Sequence, residues 1–278
     1  MKLFVKLLAN TMMLLLISCS SELEEEFPSN GELPVPVHLA IAEVNPLTRA
    51  VVNSIGDISF STLGIYEVIE GSTAGTFPWT TTPLLTNAVP SGINGNLLTF
   101  SPKLYYPMGG KKVIFYGYYP RTTATSGANY VTSPGNGTAP VFNFTLTGQE
   151  DIMHAVSTPS GSNTSGTTLP LTFNHKLTQI QLNTSILGTL LTSVKILNVP
   201  NTGSMNLETG VITYGTGTTD ISFSKASLTI TNPLMVPADV PSYIVEASIL
   251  GLLLPRKYLV KPTSGNFLAG TIYTISIN

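Results

Sequence analysis

Large hydrophobic residues alternate with small or polar residues in a segment near the N-terminus. The alternate positions are held by Val35, Val37, Leu39 and Ile41, with Pro, His and Ala between them. Alternation with a period of two places the four large side chains on one face of an extended chain. The pattern therefore predicts a strand over residues 35–43 with one buried face. The Asn-Pro pair that follows predicts the turn that ends it.

Shorter strand patterns recur through the rest of the chain. Runs rich in Val, Ile, Thr, Tyr and Phe are separated by Gly, Pro, Asn and Ser, which favour turns. No long run with helical spacing follows the first 18 residues. We therefore predict an all-β fold built from antiparallel β-sandwiches. The clearest strands after the first are predicted over residues 58–68, 97–100, 113–119, 141–146, 152–156, 171–182, 192–199, 203–207, 221–230, 242–250, 257–260 and 271–277.

A low-complexity stretch of Ser, Gly, Thr and Asn at residues 158–168 divides the predicted strands into two sets. Such a stretch is either a long loop or an interdomain linker. A chain of 278 residues is long enough to form two domains. We therefore predict an N-terminal β-sandwich domain over residues 50–168 and a C-terminal one over residues 169–278.

The chain carries few charges and many hydrophobic residues. Charged residues make up 10% of the sequence and hydrophobic residues 42%, a balance that argues against disorder. Six of the 15 acidic residues lie between Glu22 and Glu43. Beyond Arg49 the basic and acidic residues are nearly equal in number. Because nucleic acid is bound by a basic face, nucleic acid is not an expected partner.

The first 18 residues predict a signal peptide. Lys2 and Lys6 form a positive start, and an apolar run to Ile17 follows. This run is shorter than the roughly 20 residues that a membrane-spanning helix needs. It ends in Leu-Ile-Ser-Cys, which resembles a lipobox, so we expect a lipid on Cys19; the alternative is an ordinary secretory signal with an incidental cysteine. Cys19 is the only cysteine, so no intramolecular disulfide can form.

Residues 19–49 contain an acidic tether and the predicted first strand, and we expect them to form a removable propeptide. The acidic cluster at residues 22–26 is either a solvated spacer or a signal that directs a lipoprotein to the outer face of the outer membrane. Arg49 is the first basic residue after Lys6 and follows a turn signal. It is either a solvated loop residue or a cleavage site, and our hypothesis is proteolysis between Arg49 and Ala50.

No catalytic chemistry is indicated by the sequence. His38 lies in the first predicted strand, and His154 and His175 also fall within strand patterns, where a structural role is the commoner outcome. Metal-ligand spacings, a nucleophile elbow and a phosphate-binding loop are all missing from the sequence. We therefore expect no enzyme activity, no cofactor and no metal.

A surface lipoprotein that binds glycans or host ligands is an alternative function. Exposed aromatic rings can stack on the faces of sugars, although aromatic residues in strands more often alternate between core and surface, as we expect here. Such a protein needs neither a removable first strand nor cleavage at Arg49. The aromatic residues concerned are Trp79, Tyr105, Tyr106, Tyr118 and Tyr119.

Six short motifs follow one another over the region from residue 47 to residue 180. They are Leu-Thr-Arg-Ala at 47–50, Leu-Gly-Ile-Tyr at 63–66, Tyr-Tyr-Pro at 105–107, Val-Ile-Phe-Tyr-Gly-Tyr-Tyr-Pro at 113–120, Gln-Glu-Asp-Ile-Met-His-Ala at 149–155 and Leu-Thr-Phe-Asn-His-Lys-Leu at 171–177. In this order and spacing they resemble the fimbrillin family, subunits of bacterial pili assembled from lipoprotein precursors. One departure lies near Gly64: the family often has a Gly-Asp pair shortly before this strand, whereas Gly56 and Asp57 lie further upstream.

The resemblance implies two β-sandwich domains of transthyretin-like type and a structural role in a surface pilus. In the family, a lipid on the cysteine, here Cys19, holds the precursor at the outer membrane. A trypsin-like protease then cuts after an arginine that follows the first strand, here Arg49. Loss of the strand at residues 35–41 would leave a groove that a strand from a neighbouring subunit fills. The implied partners are this protease and other pilin subunits, in a head-to-tail homopolymer or a mixed fibre.

The C-terminal strand is a candidate donor for such a groove. Tyr273, Ile275 and Ile277 fall on one face of it, and the sequence ends at Asn278. The alternative is that this is simply the last strand of its own domain, because no further strand follows it. The roles of stalk and tip subunit remain open. A membrane anchor would keep its first strand, so cleavage at Arg49 argues against that role.

Overall fold

The structure is a computed structural model that describes residues 34–44, 55–80, 82–161, 166–183, 190–223, 225–226, 229–230, 233–251 and 253–277. One compact unit spans Val35–Asn278. Strands and two short 3-10 helices, Ile55–Asp57 and Phe60–Thr62, are the regular elements of the described residues, and no α-helix occurs among them. The predicted all-β fold is therefore confirmed.

The strands are short and follow one another closely along the chain. Those of the first part are β1 (His38–Val44), β2 (Gly64–Ile69), β3 (Leu85–Ala88), β4 (Gly92–Asn94), β5 (Leu97–Thr99), β6 (Val113–Tyr119), β7 (Tyr130–Val131), β8 (Val141–Thr145), β9 (Met153–Val156), β10 (Thr168–His175) and β11 (Leu177–Asn183). Those of the second part are β12 (Leu191–Pro200), β13 (Thr202–Asn206), β14 (Ile212–Tyr214), β15 (Thr218–Ser222), β16 (Lys225–Ala226), β17 (Thr229–Ile230), β18 (Leu234–Pro237), β19 (Tyr243–Ile249), β20 (Arg256–Val260) and β21 (Ile272–Ser276).

The largest sheet has eight strands in the order β3-β2-β6-β9-β10-β1-β5-β4. Every pair in it is antiparallel except β1 with β10, which run parallel. β1 thus lies inside the sheet, and three strands separate it from β2 in the strand order. The parallel pair forms only because a long stretch of chain separates its two members.

One face of the eight-stranded sheet packs against a four-stranded sheet with the order β14-β13-β8-β7. Aromatic rings fill the space between them: the ring centroids of Tyr118 and Phe142 are 5.3 Å apart, and those of Trp79 and Tyr116 are 4.9 Å apart. We call this group the aromatic core. Its buried members are Tyr66, Val68, Trp79, Tyr116, Tyr118, Val131, Ala139, Phe142, Phe144, Leu146, Ile152, Leu177, Met205, Leu207 and Met235.

The opposite face of the eight-stranded sheet encloses a second group, which we call the first-strand core. Ile65 belongs to it whereas the next residue, Tyr66, belongs to the aromatic core, as expected for side chains that alternate between faces. Because β1 and β5 share this core with β2 and β6, the sheet must curve over its own face. The buried members are Leu39, Ile41, Ile58, Leu63, Ile65, Leu98, Tyr106, Val113, Phe115, Met153, Ala155, Leu169, Leu171 and Phe173.

A second sandwich encloses a third group, the C-terminal core. Its two sheets have the orders β18-β11-β21 and β15-β12-β19-β20. The buried members are Ile180, Leu191, Val194, Ile196, Val199, Ile221, Phe223, Leu234, Val236, Tyr243, Val245, Ala247, Phe267, Ile275 and Ile277.

The chain passes between the sandwiches along β10 and β11, which only Lys176 separates. At this point the Nδ1 atom of His175 lies 2.8 Å from Oδ1 of Asp151, and both side chains are fully buried. Later in the chain, β13 pairs with β8 and so completes the smaller sheet of the first sandwich. Strand pairing therefore joins segments on both sides of residue 168, and the domain division predicted there stays a prediction.

The structure shortens one predicted strand and divides two others. The strand predicted over residues 58–68 begins only at Gly64, after the 3-10 helix at residues 60–62. The strand predicted over residues 171–182 is interrupted at Lys176, and the one predicted over residues 221–230 separates into the end of β15, β16 and β17. Strands β3, β4, β7, β14 and β18 were not predicted. Each has only two to four residues, which is too short for a period of two to stand out from the surrounding loops.

Glu67 is a buried carboxyl group on β2, next to the first-strand core. It is only 3% exposed, and burial raises its pKa from 4.5 to about 7. Because the folded-state pKa is raised, this group favours the folded state below the unfolded pKa. That contribution is lost as the pH rises through about 7.

We predict that Glu67→Gln removes this loss, because Gln cannot ionise. Relative to the unchanged chain, the variant should gain free energy of unfolding on the order of 3 kcal/mol above the folded-state pKa and little below the unfolded one. Denaturant titrations at about pH 4 and about pH 8 measure both values. Equal pH dependence in the two proteins would contradict the burial of an ionisable Glu67.

Candidate strand-exchange site

The predicted first strand occupies an internal position of the eight-stranded sheet. On one side β1 runs parallel to β10, with the register His38 to Thr168 and Ile41 to Leu171. On the other side it runs antiparallel to β5, where Leu39 faces Leu98. The register with β10 shifts between Ile41 and Glu43, which marks a bulge near the end of the strand.

Residues just before β1 extend this pairing. The backbone N–H of Val37 donates to the carbonyl of Leu104 at 2.9 Å, and the N–H of Tyr106 donates to the carbonyl of Val35 at 2.9 Å. The N–H of Ile41 donates to the carbonyl of Asn96, also at 2.9 Å. Backbone pairing thus extends over residues 35–44, and the middle of the segment, residues 39–41, is held on both sides.

The side chains of this segment point as the sequence predicts. Leu39 and Ile41 are buried in the first-strand core, and Val35 and Val37 are partly buried against it. On the opposite face His38 and Ala42 are exposed, whereas Ala40 between them is buried. Full burial of a large aliphatic side chain is worth roughly 1.5–3 kcal/mol, so Leu39 and Ile41 alone contribute several kcal/mol to the uncut chain.

Removal of β1 would create a defined vacancy. The hairpin of β4 and β5 pairs with the rest of the sheet only through β1, so β5 and β10 would both be left with an open backbone edge. Unpaired backbone groups and an uncovered apolar core are both costly in water. An extended strand with apolar residues at alternate positions would satisfy both needs at once. The site is therefore a slot for one strand.

The C-terminal strand has a comparable setting in the second sandwich. β21 runs parallel to β11 and lies at the edge of its three-stranded sheet. Ile275 and Ile277 are buried in the C-terminal core, and Tyr273 is partly buried against it. The ring centroid of Tyr273 is 4.7 Å from that of Phe267. The predicted common face of Tyr273, Ile275 and Ile277 is confirmed.

β10 and β11 follow each other as one nearly continuous line of extended chain, and β1 and β21 lie on the same side of that line. The N–H of Lys176 donates towards β9, to Ile152, whereas the N–H of Gln179 donates towards β21, to Thr271. Backbone groups of successive residues point to opposite edges, so β9 and β21 lie on opposite sides of this line. Since β9 and β1 flank β10 on opposite sides, β1 and β21 share a side. Each is the parallel partner of its own half of residues 168–183.

Several predicted site residues fall outside the described part of the chain. These are Cys19, the expected lipidation site, and Arg49 and Ala50, the expected cleavage site. The described chain resumes at Ile55, after the segment that follows Val44. Lipidation and cleavage therefore stay predictions.

Two of the three histidines, His154 and His175, are buried and each contacts a polar group of the protein. His154 is buried, its Nε2 lies 2.9 Å from the carbonyl oxygen of Leu207, and burial lowers its pKa to about 4. His175 pairs with Asp151, and His38 is exposed on β1. The described residues contain no cluster of His, Cys, Asp and Glu suited to a metal ion. They also contain no helix long and apolar enough to cross a membrane.

The aromatic residues considered for a glycan platform do not form one. Trp79 and Tyr118 belong to the aromatic core, and Tyr106 belongs to the first-strand core. Tyr105 is exposed and Tyr119 is half-buried. The expected alternation between core and surface is confirmed for Tyr105 and Tyr106. Tyr118 and Tyr119 alternate between two cores instead, because Tyr119 packs partly buried against the first-strand core.

The sequence did not single out the residues that line the slot opposite β1. Leu98 on β5 and Leu169 and Leu171 on β10 contact the first strand's core face. Their apolar character and alternation can be read from the sequence, but their pairing with β1 cannot. Pairing between distant segments leaves no local signal.

The protein belongs to the all-β class, and its first described strand, β1, lies inside its largest sheet. A model of the fimbrillin-like family matches residues 48–278, so the chain belongs to that family. The match begins after β1. No curated protein sequence gives a significant match.

Solved structures share the fold at low sequence identity. A candidate cell adhesion protein from Bacteroides uniformis aligns with a TM-score of 0.56 and 20% identity, over 88% of this chain and 93% of that chain. A fimbrial protein from Bacteroides vulgatus aligns with a TM-score of 0.53 and 12% identity, over 87% and 95% of the two chains. A candidate cell adhesion protein from Bacteroides ovatus aligns with a TM-score of 0.50 and 16% identity, over 88% and 93%.

We predict that Ile41→Ala destabilises the uncut chain by about 2–5 kcal/mol, because it opens a cavity in the first-strand core. His38→Ala, on the exposed face of the same strand, is the matched control and should cost no more than about 0.5 kcal/mol. Urea denaturation of both variants gives the comparison. Equal losses would show that β1 is not held by its apolar face.

Proposed function

We propose that this protein is a subunit of a bacterial surface fimbria and that its first strand is exchanged for a strand of a neighbouring subunit. Membership of the fimbrillin-like family supports the fimbrial role. The observation that carries the proposal of exchange is the internal position of β1, which covers an apolar core and joins a hairpin to the rest of the sheet.

Export and processing follow from the leader. The signal peptide would direct the chain out of the cytoplasm, and a lipid on Cys19 would hold the precursor at the outer membrane. Arg49 lies five residues beyond the end of β1 at Val44. A trypsin-like protease that cuts after Arg49 would leave β1 bound only by hydrogen bonds and packing, so β1 could leave the sheet. The processed subunit would then belong to the extracellular fimbrium.

Polymerisation would follow from filling the slot. A strand of a second subunit would pair with β10 and β5 and cover the first-strand core. The contact joins two different surfaces, so it does not close into a dimer and propagates head to tail. β21 is the candidate donor, because it places Tyr273, Ile275 and Ile277 on one face and already pairs in parallel at a sheet edge. Homopolymers and mixed fibres both fit this scheme.

We predict that limited trypsin digestion of the precursor without its signal peptide produces an early cut between Arg49 and Ala50, followed by a ladder of oligomers. Arg49→Ala should remove both the cut and the ladder, because trypsin requires a basic residue. Arg49→Lys is the matched control and should keep both. Intact-mass spectrometry and non-denaturing electrophoresis give the readout. A ladder formed by Arg49→Ala would overturn activation at this site.

We predict that a synthetic peptide of residues 35–44, added in excess at the moment of cleavage, suppresses the ladder, because it refills the slot. The control peptide carries Asp in place of Leu39 and Ile41 and should have no effect, since burying two carboxylates is costly. An unchanged ladder with the native peptide would mean that the subunits do not assemble through this slot.

A further inference from the structure

The outer face of the sheet formed by β7, β8, β13 and β14 carries a row of uncharged polar side chains. Tyr130 faces Asn143, Asn143 faces Ser204, and Ser204 faces Thr213, so one residue of each strand contributes to the row. A second row lies beside it, where Thr145 faces Thr202. The two rows together hold five side chains with a hydroxyl group and one with an amide, at neighbouring positions of this face.

The direction of these side chains follows from the alternation along each strand. Phe142 and Phe144 on β8 and Met205 on β13 are buried in the aromatic core. Their neighbours Asn143, Thr145 and Ser204 must point away from that core, to the outer surface. We call this surface the polar groove.

The polar groove contains a cavity of about 330 Å³. This volume is at the small end of the range in which small-molecule sites fall, about 300–1,000 Å³. The lining residues are Gly127, Ala128, Tyr130, Asn143, Phe144, Thr145, Thr202, Gly203, Ser204, Thr213, Tyr214 and Gly215.

Charge is missing from the whole lining of the groove. Residues 122–149 contain no charged side chain, and residues 209–219 contain none either. The outer face of the second sandwich is different: there Lys195 lies 3.0 Å from Asp220 and 3.3 Å from Glu246. A lining without charges offers nothing to a phosphate, a sulfate or a carboxylate. Its hydroxyls and amide can bond to a neutral polar partner.

The groove keeps hydrogen-bonding capacity available. Within the described part of the chain, the hydroxyl groups of Tyr130, Thr202 and Thr213 form no hydrogen bond to protein. A Cβ atom at Gly215 would come within 2.3 Å of Oγ1 of Thr202. Any larger residue at position 215 would therefore crowd this hydroxyl group, and glycine keeps it accessible. Thr145 donates to the carbonyl of Ala128 at 3.1 Å, which fixes the loop at one end of the groove.

We propose that the polar groove binds a neutral saccharide, such as the end of an uncharged oligosaccharide. A neutral sugar presents hydroxyl groups that both donate and accept hydrogen bonds, and Ser, Thr, Tyr and Asn match both roles. It also presents C–H faces that pack on an aromatic ring, and Tyr130 supplies one at the edge of the row. Its lack of charge matches the lack of charge in the lining. This binding activity goes beyond the fimbrial role, and the groove residues take no part in the slot of β1.

The test uses the precursor without its signal peptide on an array of neutral oligosaccharides of hexoses and N-acetylhexosamines. Sialylated and sulfated versions of the same chains are printed beside them. The expected result is binding to one or more neutral chains and weaker binding to their charged versions. Tyr130→Ala should weaken the binding by about tenfold. Tyr105→Ala, an exposed tyrosine outside the groove, is the matched control and should change nothing.

Gly215→Val provides a second variant, because it fills the groove without removing a polar group. It should abolish binding while its thermal unfolding stays cooperative. The absence of binding to any neutral chain would overturn the proposal, and so would a preference for charged chains. Binding that survives both groove variants would also overturn it. Fibre assembly is measured separately: loss of oligomers in the groove variants with the array signal unchanged would identify the surface as a subunit contact instead.

Discussion

The pairing of β1 with β10 and β5 is the contact on which the first sandwich depends. It joins the hairpin of β4 and β5 to the other strands of the eight-stranded sheet, and it covers one side of the first-strand core. Leu39 and Ile41 supply the apolar contact, while the backbone supplies the hydrogen bonds. A strand so placed cannot be lost without replacement, because the vacancy exposes both an apolar surface and two strand edges. The need for replacement is the physical basis of the proposed assembly.

The two sandwiches share chain segments that tie them together. β10 and β11 form one line with a break at Lys176, and β13 returns from the second part of the chain to pair with β8. The buried pair of His175 and Asp151 lies at the break. Since a buried charged or polar group is costly without its partner, this contact favours one arrangement of the chain at the junction. β1 and β21 flank the same side of that line, so the slot and the candidate donor are oriented alike within one subunit.

The two outer surfaces of the molecule differ in chemistry. The second sandwich carries an ion network of Lys195, Asp220, Glu246 and Lys257 on one face. The first carries the polar groove, where Tyr130, Asn143 and their neighbours provide hydrogen-bonding groups without charge. Assembly through β1 and binding through the groove would use different surfaces. A fimbrial subunit could therefore hold its neighbours and a ligand at the same time.

The sequence alone determined the all-β class, the approximate position of β1 and the core face of its large side chains, because a period of two is a local property of a strand. It also predicted that one of Tyr105 and Tyr106 is buried and the other exposed, but it did not show which of the two is buried. The tertiary structure decided the rest: that β1 pairs in parallel with β10, that the chain breaks at Lys176, and that strands of two to four residues complete the smaller sheets. It also brought Tyr130, Asn143 and Thr213 into one row. These features depend on hydrogen bonds between segments that are distant in the chain, and no pattern within one segment specifies its partner.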